Sequence, residues 1–110
     1  MMSDARVVLT TAGSREEAEK VASALVEGEL AACVNIVGPM TSVYRWEGKV
    51  ERAEEFLLVI KTWGSAYDDV EEAIKELHSY ELPECIALRV EKGSEEYLEW
   101  LQESVRSEDE

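Results

Sequence analysis

The order of elements predicts an α+β sandwich of the ferredoxin-like class, βαββαβ, with a long β-hairpin and an extra C-terminal helix. Three observations carry this reading. Helical stripes alternate with β-branched runs in the order strand, helix, strand, strand, helix, strand. A Glu-Gly turn joins two of those runs into one long hairpin. The chain has 110 residues, 45% of them hydrophobic, which is enough for one core and too few for two. Residues 1–110 are therefore expected to form a single domain, with Arg106 to Glu110 as a frayed acidic tail.

The first strand is Arg6 to Ala12, β-branched and ended by Gly13-Ser14. A helix follows, with Ser14 as cap, Glu17 three residues on, and Ala18, Val21, Ala22, Leu25 and Val26 spaced as one apolar stripe. Gly28 closes it. Ala31 to Val37 is a second strand ended by Gly38-Pro39, after which Thr41 to Trp46 and Lys49 to Thr62 flank the Glu47-Gly48 turn. A strand of that length spans about 46 Å, whereas a domain of this size has a radius of gyration near ~13 Å, so the hairpin should project beyond its own core. A second helix is predicted from Ser65 to about His78, capped by Ser65 and carrying Tyr67, Val70, Ala73, Ile74 and Leu77. Cys85 to Glu91 alternates as a fourth strand, and Ser94 caps a last helix bearing Tyr97, Leu98, Leu101 and Val105.

Phe56, Leu58 and Ile60 point to one face of the long strand and Leu57 and Val59 to the other, so the sheet is apolar on both sides. Two helices cover one side. The other needs either a second copy of the chain or the last helix folded back over it, and the overhanging hairpin favours a homo-oligomer built sheet to sheet.

Eleven basic and 25 acidic side chains leave a net charge of −14. Such a surface repels phosphate backbones, which excludes a nucleic-acid partner on average charge and favours cations. No apolar run approaches a membrane span and the N-terminus carries no basic region ahead of an apolar one, so no membrane association and a cytoplasmic location are expected. Cys33 and Cys85 form neither a CxxC motif nor a disulfide framework, and reduced thiols are expected. Asn35 and Gln102 are the sole side-chain amides, a composition found in heat-adapted proteins.

Few residues can carry chemistry. The turn at Gly13-Ser14-Arg15 offers amide groups to an anion, but Ser14 serves as a cap and Glu16 and Glu17 already supply the negative charge. His78 is the only histidine. Glu81, Glu84 and Cys85 follow it closely and offer the mixed donors that a borderline metal accepts. Cys33 falls on the side of the sheet away from the helices, where copper(I) coordination would require donors from elsewhere, a neighbouring subunit included. Glu55 and Lys61 share that parity at the two ends of an apolar stretch. Tyr44 and Trp46 share a parity near the hairpin tip, where one domain has little core to bury them, so they read as interface anchors and secondly as a stacking surface. No nucleophile-histidine signature is present, and no enzyme activity is expected.

Taken together, Ala31-Ala-Cys-Val-Asn-Ile36, Tyr44-Arg-Trp-Glu-Gly-Lys49, Ile60-Lys-Thr62 and His78-Ser-Tyr-Glu-Leu-Pro-Glu84 resemble the divalent-cation tolerance protein CutA family, over nearly the whole chain from Val7 to about Leu101. The resemblance implies a ferredoxin-like subunit in a homotrimer similar to the PII-type signalling proteins. It implies a part in tolerance to copper or another divalent cation, with binding at inter-subunit clefts, or alternatively a PII-like regulatory trimer holding a small organic or nucleotide effector. Carried over by position, the metal candidates are His78 and Cys33, and the remaining ligand-binding candidates are Trp46, Glu55, Lys61, Tyr80 and Glu84. The chain departs from the family in having Ser79 where proline usually follows the histidine. Thr10 and Leu77 stand where some members have a cysteine and a second histidine, so two candidate copper ligands are missing.

Overall fold

The computed structural model describes residues 3–106, so the predicted tail beyond Arg106 lies outside the described residues. Along the chain run β1 (Ala5–Ala12), α1 (Arg15–Glu27), β2 (Cys33–Trp46), β3 (Lys49–Trp63), a 3-10 turn (Gly64–Ala66), α2 (Tyr67–Leu77), β4 (Ile86–Arg89) and α3 (Glu95–Ser104). The strands form one sheet in the order β2-β3-β1-β4 with every neighbour antiparallel. This is the ferredoxin-like α+β architecture that the element order predicts.

Helices α1 and α2 lie on one face. Val21, Leu25, Val70 and Ile74 pack there against Val8, Leu58 and Ile60, all of them buried. This even-numbered side of β3 is the helix face. Ser14 caps α1 through its hydroxyl, which accepts the Glu17 amide at 3.1 Å. The closing turn differs from expectation: Gly28 keeps an ordinary φ of −80°, and it is Glu29 that turns left-handed at φ 59°. The Glu29 amide reaches the Val26 carbonyl at 3.1 Å and the Leu30 amide reaches that of Leu25 at 2.9 Å. These two bonds make a Schellman closure in which Leu30 packs back on the helix, one residue later than the glycine suggested.

Gly38-Pro39 does not end β2. Between Val37 (opposite Leu57) and Met40 (opposite Glu55), two residues of β2 face the single residue Phe56 of β3. The pair is absorbed as a bulge because β2 is an edge strand, where the missing proline N–H breaks no ladder bond. Gly38 has φ 149°, and a Cβ there would lie 3.0 Å from the Glu55 carbonyl oxygen, so the crossing is open to glycine alone. Beyond the bulge the arm runs on to Glu47 (φ 49°) and Gly48 (φ 79°), whose two positive angles define a type I′ turn. The molecule is consequently long, 44 × 26 × 22 Å.

Three further expectations are corrected. Ser65 caps nothing: the 3-10 turn precedes α2, and Ala66 occupies the cap position with no side-chain bond because it is buried beneath α3. Helix α2 stops at Leu77, and His78 has extended backbone (φ −81°, ψ 142°). Strand β4 is only four residues long, and Ile86 and Leu88 are half exposed. As for the second face, α3 packs Leu98, Leu101 and Val105 on Ala5, Trp63 and Val90, which form its end row. The rest of that face, from Cys33, Lys61, Val7 and Leu88 out to Val37 and Leu57, has no covering layer among the described residues.

Candidate functional site

The residues singled out by sequence fall into three places. The first is the corner where β1 ends, α1 begins and the 78–84 segment returns from α2. His78 is fully buried there. Its Nε2 lies in hydrogen-bond contact with the Thr11 carbonyl, and its Nδ1 accepts the Tyr80 amide at 3.0 Å. Those partners place the proton on Nε2, so both ring nitrogens are engaged. A Glu17 carboxylate oxygen approaches Nδ1 to 3.3 Å. The imidazole thereby ties the 78–84 segment to β1 and fixes where Tyr80 goes.

Tyr80 stacks at a tilt on His78, ring centroids 4.5 Å apart, crosses above Gly13 and donates its hydroxyl to Glu55 Oε2 at 2.8 Å. Gly13 has a role its sequence context concealed: a Cβ there would meet the Tyr80 hydroxyl at 3.0 Å. It is a seat for the ring, and the neighbouring Ser14 and Arg15 are otherwise occupied, Arg15 lying 5.0 Å above the Phe56 ring. Glu55 is only 7% exposed. Partial burial and the charge of Glu55 both hold the Glu84 carboxyl above its ordinary value, and burial together with the Glu55 hydrogen bond pushes the Tyr80 phenol up to about 12. Glu55 and the Tyr80 phenol are hydrogen-bonded at this corner, and the exposed Glu84 lies within reach of the Glu55 charge, a set of hard oxygen donors with negative charge in excess.

The second place is the uncovered sheet face. Cys33 and Lys61 are cross-strand partners. The Lys61 ammonium bonds the Asn35 side-chain carbonyl and lies 4.0 Å from Cys33 Sγ. Asn35 as the partner of Lys61 follows from its parity with Cys33 and from the β2–β3 register, which the sequence does not state. Six residues of extended strand, about 20 Å, separate Lys61 from Glu55. The third place is the hairpin tip, where Trp46 is 40% exposed. One chain does not bring the three together. Cys85 packs against the core under α1 and α2 beside Tyr67, 3.6 Å from its hydroxyl, and burial raises its thiol, so it leaves the donor set proposed around His78. Among the described residues no three His, Cys, Asp or Glu side chains converge on a point that could hold a metal ion.

No helix of the described residues is long and apolar enough to cross a membrane. The family model described as CutA1 divalent ion tolerance protein matches residues 6–104. The chain is 50% identical over 98 residues to the divalent-cation tolerance protein CutA of Thermus thermophilus, covering 89% of this chain and 95% of that one. It is 48% identical over 101 residues to the chloroplastic protein CutA of Arabidopsis thaliana, covering 92% of this chain and 56% of that longer one. The crystal structure of CutA1 from Oryza sativa superposes with a TM-score of 0.92 at 44% identity, over 96% of each chain. With this agreement in sequence and fold along nearly its full described length, the chain belongs to the CutA1 family of divalent ion tolerance proteins.

Proposed function

We propose that this chain acts in divalent-cation tolerance as a cytoplasmic homotrimer without enzymatic activity, binding copper or another divalent cation in clefts between its subunits. The observation that carries this reading is the division of donors. Glu55 and Glu84 are close enough for the charge of one to raise the other, yet no third His, Cys, Asp or Glu among the described residues of one chain joins them. A cation at that corner would relieve the repulsion, and its remaining ligands would come from a neighbouring copy. The open apolar face between Cys33 and Val37 supplies the reason for such copies to associate. His78 serves the corner chiefly by orienting Tyr80, and coordination through its ring requires release of the Thr11 or Tyr80 bond.

The test is a chelator-competed copper titration of the metal-free protein, repeated with zinc, on the parent and on Glu84→Gln, Cys33→Ser and His78→Ala variants. Saturable binding weakened by Glu84→Gln supports the corner. Weak, unsaturated binding indifferent to all three substitutions would mean cations collect only on the acidic surface. Light scattering after size exclusion should return three times the 12.4 kDa chain mass.

A second reading is favoured by Lys61, whose contacts among the described residues are Asn35 and Cys33, with no carboxylate. A cation held without a counter-charge suits an anionic organic or nucleotide effector, with Tyr80 or Trp46 as the stacking surface. A thermal-shift screen separates the two, since a ligand bound only by the folded state raises its midpoint. A response to anionic effectors and none to metals would displace the metal reading.

A further inference from the structure

Helix α3 is built of parallel stripes, each spaced i, i+3, i+7. Leu98, Leu101 and Val105 are buried and face the end row of the sheet. Tyr97, Trp100 and Ser104 make a second stripe, and Glu96, Glu99 and Glu103 a third beside it. Both point away from the core. Tyr97 is 44% and Trp100 46% exposed, with ring centroids 5.5 Å apart and planes tilted by 44°, and the three glutamates are exposed. Ser104 turns its hydroxyl back to the Trp100 carbonyl at 2.8 Å, so the rings are what the second stripe presents.

With Glu95 the helix carries four glutamates and no basic residue. None of the four has an ion-pair partner among the described residues. Two cations flank the helix. Lys92 precedes the Ser94 cap and follows Glu91 directly, and Arg106 is turned toward Asp69 of α2 at 3.7 Å. Beside the first turn, Ser94, Glu95, Glu96 and Glu99 line a hollow open to solvent.

Acidic residues are spread over this chain, and by themselves they only solubilise it. Half-exposed rings set against unpaired carboxylates are a more selective surface. The arginine side chain matches both parts: its planar guanidinium stacks on an indole or phenol ring and pairs its edge with a carboxylate, whereas an ammonium is a point charge without that geometry. The same helix of a second copy would set four glutamates against four. The sequence after Arg106, Ser107-Glu108-Asp109-Glu110, is likewise of the wrong sign to cover this face.

We infer that the outer face of α3 is a docking surface for an arginine-bearing segment of a partner protein. Guanidinium groups of that segment stack on Trp100 and Tyr97 and pair with Glu96 and Glu103, and a further basic side chain enters the hollow at Glu95 and Glu99. None of these residues belongs to the corner at Glu55 and Glu84, so the inference stands whether or not a cation binds there.

The test is fluorescence anisotropy of labelled nona-arginine titrated with the full chain at physiological ionic strength, with nona-lysine as a probe of equal charge. The arginine peptide should bind roughly tenfold more tightly, the share of affinity that the aromatic faces supply. Trp100→Ala should abolish that preference and leave the lysine peptide unaffected, while Glu96→Gln with Glu103→Gln should weaken both peptides. Glu72→Gln with Glu76→Gln removes the same charge from the exposed side of α2 and should change neither. Circular dichroism confirms that each variant is folded, all five positions being exposed. Equal affinity for the two peptides, or an α2 pair that matters as much as the α3 pair, reduces the binding to general attraction by an acidic surface and overturns the inference. Absence of binding overturns it too. If light scattering shows that Trp100→Ala lowers the mass of the parent assembly, the face belongs to a contact between copies and the inference fails.

Discussion

Two buried threonines give a matched pair of substitutions with opposite expected signs. Thr10 is 1% exposed, and its hydroxyl is the one buried side-chain polar atom without a hydrogen-bond partner among the described residues. Thr62 is fully buried, and its hydroxyl donates to the Leu30 carbonyl at 2.6 Å. Both side chains point to the helix face of central strands, so strand propensity cancels in a change to valine, which has the same shape. At Thr10 the change removes an unpaired hydroxyl that costs about 1–3 kcal/mol and adds a buried methyl worth about 0.8 kcal/mol. A gain of roughly 2–4 kcal/mol follows. At Thr62 the same methyl is gained, but a bond worth about 1 kcal/mol is lost and the Leu30 carbonyl is left unpaired at a further 1–3 kcal/mol, a net loss of roughly 1–3 kcal/mol. Urea unfolding at matched protomer concentration reads both as opposite shifts of the midpoint with unchanged slope. Each kilocalorie should move the thermal midpoint by about 4–8 °C. If Thr10→Val destabilises, or if both variants move the same way, the hydroxyl of Thr10 has a partner and the reasoning fails.

Three other outcomes follow from particular contacts. Glu29→Gly should stabilise by roughly 0.5–1 kcal/mol, because relief of a left-handed non-glycine residue outweighs the freedom glycine adds to the unfolded chain; a destabilised variant in thermal melts would refute it. The folded chain holds the proton of Glu84 more tightly than the unfolded chain does, so this group's contribution is intact below the unfolded value near about pH 4 and is lost as pH rises through the higher folded value. Glu84→Gln should therefore raise the melting point above that range and leave it unchanged below, and the opposite order would remove the Glu55–Glu84 repulsion from the account. Tyr80→Phe takes the donor from a nearly buried carboxylate and should cost about 1–3 kcal/mol. In the ultraviolet titration it should also delete the phenol that ionises near 12, leaving the other three tyrosines.

The helices, the antiparallel sheet and the hairpin were legible because each rests on a local period that burial enforces. Leu25, Val70 and Ile74 sit where their stripes require, and Phe56, Leu58 and Ile60 face the helices. The errors share a different cause. Gly28 and Ser65 carried correct local signals, but Leu30 gains core contacts by closing the helix one residue later, and Ala66 gains burial under α3 by taking the cap position. At the candidate site, residue types were legible and their company was not. His78 and Tyr80 meet Thr11, Gly13 and Glu55 only through the return of the 78–84 segment, a contact across 67 residues in the case of His78 and Thr11. Glu17 gave no hint beyond its place in the first turn of α1.

The bulge at Gly38-Pro39 separates two properties that a strand ordinarily binds together, which residues pair and which way the strand is aimed. Because β2 carries one residue more than β3 across this point, removal of Pro39 would let the ladder run straight while Met40 still faces Glu55 and Trp46 still faces Lys49. Every partner and every facing would survive. What would change is direction, since a bulge adds bend and twist to its strand, and an arm of about seven residues converts a small angle at its root into a displacement of several ångströms at its tip. A one-residue change of length at this point therefore acts as steering: the same core and the same pairing, with the arm aimed elsewhere.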